Sequence, residues 1–316
     1  MWHTRAVVRG VAAVAAAVAA AFSLTSSGQS AKQPVELGVL GNPARFAAIT
    51  GQQSTARLLI AGWGARNFAQ LFSMMGDHPM LGINAGTVIS PAAIARGQDD
   101  DYLQALNAGI AEFGKPVYIR PLAEMNGHWN GYSAYDSSGR QRGPTHTTAM
   151  FKKAFARIYL AVHGGPDVNA TLHTLGLPPF KGDLASNPLA SVIWNPQGFG
   201  SPDLPGNSSQ SYYPGDRYVD VVGDDLYFIN GKAEWKAAEA LYKAHPSKPF
   251  SFPEWGLWGL DDAGFVRAMA TFVRTHPRTA LISYYNGKPG SIFDLASKPQ
   301  ARAAYRRLIL PLAARG

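Results

Sequence analysis

The sequence predicts an α/β fold, a single-domain (β/α)8 TIM barrel, and three observations point there. Strand-like runs alternate with helix-like segments along the chain. There are eight such strands. Two of them run into a glutamate set among aromatic and glycine residues, at the strand end where barrels carry their chemistry. The strands are expected at Val35–Leu40, Arg57–Ala61, Met80–Ala85, Val117–Leu122, Ser191–Trp194, Val219–Val222, Pro249–Phe252 and Ala280–Tyr285.

Between them lie helix start signals at Asn42-Pro43 and Ser90-Pro91, and an acidic first turn at Asp99 to Asp101. Amphipathic segments follow over Thr147–His163, Lys232–His245, Asp261–His276 and Lys298–Ala313. The stretch Pro196–Arg217 is rich in Gly, Pro, Ser and Asn and has no helical period. There the fifth helix is expected to be short or replaced by a long loop on the active face.

Composition narrows the class. Of 316 residues, 46% are hydrophobic and 16% charged, which is a globular balance. No acid precedes Glu36; Arg5 and Arg9 lead into an apolar run from Val11 to Phe22 and then a small polar stretch. That order predicts a secretory signal over residues 1–31, a catalytic domain over 32–316 and a secreted, extracellular protein. The alternative reading of this run is an uncleaved membrane anchor, although a dozen residues is short for a span of roughly 20. Once the signal is cleaved, no stable membrane association is expected.

The chain has no cysteine, which excludes disulfides, thiolate metal sites and a cysteine nucleophile. Removing Arg5 and Arg9 from 29 basic residues leaves 27 against 21 acids, a net +6 for residues 32–316. Since no Lys/Arg run marks a nucleic-acid stripe, no nucleic-acid partner is expected. A monomer acting on a polysaccharide is.

In the fourth strand, Tyr118, Arg120, Leu122 and Glu124 share one parity and are expected on one face. In the seventh, Phe250, Phe252 and Glu254 are expected to do the same. Strands four and seven lie nearly opposite across a barrel rim, so the two carboxyls can converge. Such a pair is what glycosidic-bond cleavage needs: one acid for the leaving oxygen, and one nucleophile if the carboxyls are about 5–5.5 Å apart. Either glutamate could instead be a strand-end carboxylate paired with an arginine. Asn126 could bind a sugar hydroxyl, and Trp129, Trp255 and Trp258 could stack on sugar faces, although any one of them could equally be core. His128 sits inside the first motif, within reach of substrate. The other histidines show no metal-ligand spacing, and neither metal nor cofactor is expected. The acidic run at Asp99–Asp101 reads as helix capping.

Arg120-Pro-x-x-Glu-Met-Asn-Gly-x-Trp129 resembles the acid/base motif of glycoside hydrolase family 26, whose best-known members are endo-β-1,4-mannanases. Val192-Ile-Trp-Asn-Pro196 resembles that family's fifth strand, Tyr212-Tyr-Pro-Gly-Asp216 with Tyr218–Tyr227 its sixth, and Lys248–Gly256 its nucleophile strand. The resemblance spans roughly residues 117–256. It implies acid/base Glu124, nucleophile Glu254, retention of configuration, and Tyr227 as hydrogen-bond partner of the nucleophile. Arg120, Asn195 and Tyr284 join the expected supporting residues. Two positions depart from the family: Ala123 stands where a histidine usually precedes the acid, and strand eight ends in Tyr284-Tyr285-Asn286 where tryptophan is common. If mannan is the substrate, His128, Asn126 or Asn195 would have to supply the missing polar contact. Xylan, mixed-linkage glucan or a bacterial wall glycan are the alternative substrates, and a non-catalytic carbohydrate-binding barrel is the alternative class.

Overall fold

A computed structural model of the protein describes residues 34–64 and 66–313; the expected secretory signal lies outside them. Eight parallel strands close in sequence order into one barrel. They are β1 Glu36–Gly41, β2 Ala56–Gly62, β3 His78–Asn84, β4 Val117–Pro121, β5 Ala190–Trp194, β6 Val221–Phe228, β7 Phe250–Leu257 and β8 Thr279–Gly287. Around them lie α1 Pro43–Thr50, α2 Phe68–Met75, α3 Pro91–Ala95, α4 Asp100–Phe113, α5 Thr148–His163, α6 Val168–Thr174, α7 Trp235–Ala244, α8 Ala263–Thr275, α9 Pro299–Leu308 and α10 Leu310–Ala313. Among the described residues no helix is long and apolar enough to cross a membrane.

The helix starts follow local chemistry. The side chains of Asn42, Ser90, Thr147 and Asp262 each accept the backbone N–H three residues on, so α1, α3, α5 and α8 begin on capped turns. Asp99 precedes α4 but does not cap it. Its carboxylate takes the Trp63 indole N–H at 2.6 Å, and Asp100 pairs with the buried Arg157. The acidic run is structural, by a different route from the one expected. His163 ends α5 and meets the Asp220 carboxylate at 2.8 Å. Between β5 and β6 there is no α-helix, only 3₁₀ turns at Pro205–Asn207, Ser209–Tyr212 and Asp216–Tyr218. The loop expected there is present.

The core has two layers. Ala56, Leu58, Met80, Ile193, Val221 and Leu281 fill the barrel interior, with Leu40 and Tyr118 against them. A larger layer, with Val39, Leu81, Ile119, Val192, Trp194, Phe252 and Tyr305 among its members, lies between barrel and helices. Glu36, His78 and Tyr118 meet at the strands' N-terminal end: Glu36 takes the Tyr118 hydroxyl at 3.0 Å and lies 2.7 Å from His78. The chemistry of such barrels sits at the opposite, C-terminal mouth.

One expectation about β7 is corrected here. Phe250 and Phe252 do not share a face with Glu254; both pack outward, against Tyr242 of α7 and Phe272 of α8. β7 carries one extra residue relative to both neighbours, between Phe252 and Trp255. This bulge resets the alternation, so Glu254 turns inward although Phe252 turns outward.

Candidate active site

Glu124 reaches the mouth by a turn. Arg120 is the last inward residue of β4, after which Leu122 and Glu124 both adopt left-handed backbone, at φ 50 and 53°. Such a conformation costs on the order of 1–3 kcal/mol and must be held by its surroundings. Several contacts hold it. Leu122 N–H donates to Ile83 O at 2.8 Å, and Glu124 N–H to Asn195 O at 2.6 Å. The Tyr132 hydroxyl and Asn130 amide donate to Ala123 O, and Asn130 also donates to Glu124 O. The Glu124 carboxyl takes the Trp129 indole N–H at 2.6 Å and the Gln197 amide.

Glu254 comes from the bulge. Its Oε2 accepts the Tyr227 hydroxyl at 2.6 Å, and its Oε1 accepts from Arg120. Arg120 is buried and also pairs with Asp225, while its Nε donates to Asn195 Oδ1 at 3.0 Å. One guanidinium thereby fixes a carboxylate from β6 and another from β7. Glu124 and Glu254 line one small pocket of about 130 Å³, with Ile60, Asn84, Arg120 and Ala123.

The charge balance follows. Asp225, Glu254 and Glu124 surround a single arginine. Burial first, and then the negative charge of Glu254, raise the pKa of Glu124 against the opposing effects of Arg120 and the Trp129 N–H. Burial also raises Asp225 despite its ion pair with Arg120, and pushes Asp224 up to about 8. Carboxyls that cannot all ionise keep protons, and Glu124 is therefore suited to donate one.

The expected site residues divide. Arg120, Glu124, Glu254, Tyr227 and Trp129 converge, and Trp258 stands at the rim, about half exposed, edge-on to Tyr227. Asn195 supports from below through Arg120. Asn126 is buried and ties the loop together, donating to Gln197 O and Phe199 O and accepting Gln197 N–H; it supports and does not face sugar. His128 turns to the Ser201 hydroxyl at 3.2 Å. Of the three candidates for the contact missing at Ala123, Asn126 and Asn195 are committed to other partners, and His128 is engaged through one ring nitrogen.

Trp255 and Tyr284 are corrections. Both are fully buried outside the barrel, Trp255 stacked on Tyr305 and Tyr284 on Phe46. They occupy outward positions of β7 and β8 and cannot touch a ligand in the mouth. Tyr285, the inward neighbour, packs against Tyr227, and its pKa is raised by burial and then by Glu254. The sequence reading also missed Gln197, Phe199, Asp224 and Asp225. For Asp225 the available signal was its spacing of two from Tyr227, which puts both on one face of a strand. Among the described residues no group of three or more side chains is placed to hold a metal ion.

A closed (β/α)8 barrel with carboxyls from β4 and β7 facing one pocket at its C-terminal mouth has the layout of a glycosidase barrel. The chain is mannanase-like in fold and, over part of its length, in sequence. It is 31% identical over 150 residues to a mannan endo-1,4-β-mannosidase of Bacillus subtilis strain 168, a match covering 45% of this chain and 31% of that protein. It is 26% identical over 191 residues to a second B. subtilis mannan endo-1,4-β-mannosidase, covering 58% and 44%. A β-1,3-xylanase of Alcaligenes matches at 26% identity over 176 residues, covering 55% and 29%. The chain thus spans less than half the length of these relatives. A family 26 β-mannanase structure from Bacteroides ovatus superposes with TM-score 0.58 at 15% identity, covering 88% of each chain. The B. subtilis mannanase structure superposes with TM-score 0.57 at 20% identity, covering 89% and 86%. No family model matches the chain.

Proposed function

We propose that the protein is a retaining endo-glycosidase that hydrolyses a β-linked polysaccharide, with β-1,4-mannan the first candidate substrate. The observation that carries this reading is the unequal state of the two glutamates. Both oxygens of Glu254 are held by cationic or hydroxyl donors, while Glu124, pushed toward its protonated form, shares its pocket. In this reading Glu124 protonates the leaving oxygen while Glu254, fixed by Arg120 and Tyr227, attacks the anomeric carbon. Once Glu254 is glycosylated its charge is gone, so the pKa of Glu124 falls and it can take a proton from water. Water then releases the sugar with net retention. The mannan assignment is supported by the named activities of the relatives; the xylanase among them and Ala123 keep other β-glycans in the test.

Residues 1–31 we read as an export signal, so the enzyme would act outside the cell; N-terminal sequencing of protein recovered from culture medium checks this.

The deciding measurement is release of reducing ends from linear mannan, glucomannan, xylan, mixed-linkage glucan and wall glycans. The natural protein should cleave at least one. Glu254→Ala should lose several orders of magnitude, whereas Glu124→Ala should keep cleaving activated aryl glycosides in the first step. Azide should give a β-glycosyl azide with Glu124→Ala and an α-glycosyl azide with Glu254→Ala. The reverse pattern would exchange the two roles, and no turnover on any glycan would leave a carbohydrate-binding barrel.

A further inference from the structure

The mouth of the barrel continues into a cavity of about 720 Å³. Glu124 and Trp129 line it, but Glu254 does not; Glu254 lines the small pocket it shares with Glu124. In the two-carboxylate reading, on which this inference rests, the anomeric carbon sits where both glutamates reach. Space reached by the acid and not by the nucleophile is then space for the leaving group.

One wall is Gln197 to Phe199, in the loop that replaces the fifth helix. That loop lies directly on α7: a Cβ added at Gly198 would meet the Ala237 Cβ at 2.9 Å. Phe199 and Trp258 line the cavity and remain 44% and 46% exposed, so the protein leaves two aromatic faces uncovered there. Against the same cavity lies Asp224, 2% exposed. Its carboxyl accepts the Gly198 N–H at 2.9 Å, and no cation among the described residues pairs with it. Its charged neighbours are Glu124 and Asp225; Lys232 and Glu234 line the cavity but are exposed. A buried carboxyl in such company keeps its proton at neutral pH, which gives it a donor as well as an acceptor. The catalytic pair has no use for this group.

We propose that the cavity is the binding subsite for the leaving-group end of the glycan, where Asp224 sets specificity by hydrogen-bonding a sugar hydroxyl while Phe199 and Trp258 stack on sugar faces. The occupant is a neutral, hydroxyl-rich saccharide. An acidic one would face Asp225 and Glu124.

The test compares the natural protein with Asp224→Asn and Asp224→Leu on two substrates, one with a sugar leaving group and one without. One is 4-nitrophenyl β-mannobioside, whose leaving group is not a sugar; the other is β-1,4-mannohexaose. If another glycan proves to be the substrate, its corresponding pair is used. Asp224→Leu should lower kcat/KM on the hexaose roughly 10- to 100-fold, as losing a buried hydrogen-bond partner does, and leave the aryl substrate within about twofold. Asp224→Asn, which can still donate and accept, should stay within roughly threefold on both. Equal losses on the two substrates would reduce Asp224 to a structural residue, and unchanged hexaose cleavage by folded Asp224→Leu would overturn the subsite. Failure of the natural protein on every glycan would instead remove the hydrolase reading, and the subsite with it.

Discussion

Tyr227 and Arg120 divide the work on Glu254, one oxygen each. Tyr227→Phe removes a single hydroxyl and little volume. A hydrogen bond to a charged acceptor contributes about 1.5–3 kcal/mol, so kcat should fall roughly one to two decades while KM barely moves. A rise in KM at constant kcat would mean that the hydroxyl acts on substrate rather than on Glu254. Arg120 was legible from its parity with Glu124 along the fourth strand, whereas Tyr227 was legible only through the family resemblance, lying beyond the apolar run that marks the sixth strand. Trp255 and Tyr284 were not legible. Each has an inward neighbour of equal plausibility, Glu254 or Tyr285, and composition alone does not say which way a side chain turns. The bulge in β7 and the alternation along β8 decide it. For the same reason the polar contact at Ala123 could not be assigned: Asn126, Asn195 and His128 are all plausible from the motifs, and the structure commits the two asparagines elsewhere.

Among the elements, the strand count and the missing fifth helix followed from periodicity, because a long amphipathic repeat is hard to mistake and its absence is equally plain. Strand ends were a different matter. β6 runs on to Phe228 and β7 to Leu257, well beyond the apolar runs that mark them in sequence. Asp225 and Tyr227 of β6 and Glu254 of β7 turn into the polar site and interrupt the apolar run, while the hydrogen-bonded ladder continues past them. The segment after β4 has its own device, a close approach at Gly127. A Cβ there would collide with the indole ring of Trp129, whose side chain is about half exposed and free to swing outward. Gly127→Ala should therefore leave the fold standing, at a cost of roughly 1 kcal/mol or a few degrees in Tm. It should nonetheless weaken polysaccharide cleavage at least about tenfold, because the displaced indole no longer donates to Glu124 or offers its face to sugar. A large fall in Tm with kcat/KM unchanged would show that the glycine serves backbone packing alone.

Across the whole molecule, the site places a pH-dependent load on folding. Asp224 sits near its ordinary value in an unfolded chain and about 8 in the folded one, mainly through burial. Below about pH 4 it is protonated in both states and has no differential effect. As pH rises from there, the unfolded chain ionises while the folded protein holds the proton. Stability therefore declines, by at most about 1.4 kcal/mol for each pH unit, until the folded group ionises near pH 8. A side-chain amide does not titrate, so in Asp224→Asn that contribution is absent. The variant carries whatever fixed offset the amide brings, and the difference in Tm, variant minus natural protein, should climb between about pH 4 and pH 8 and then level off. Paired thermal melts across that range measure it, with the catalytic readout set aside. A difference that stays flat would mean that Asp224 ionises in the folded protein much as it does in water, and that an unmarked positive group or water faces it. A difference that falls with pH would require a folded-state pKa below the ordinary carboxylate value, which is incompatible with a buried carboxyl that no cation among the described residues pairs with.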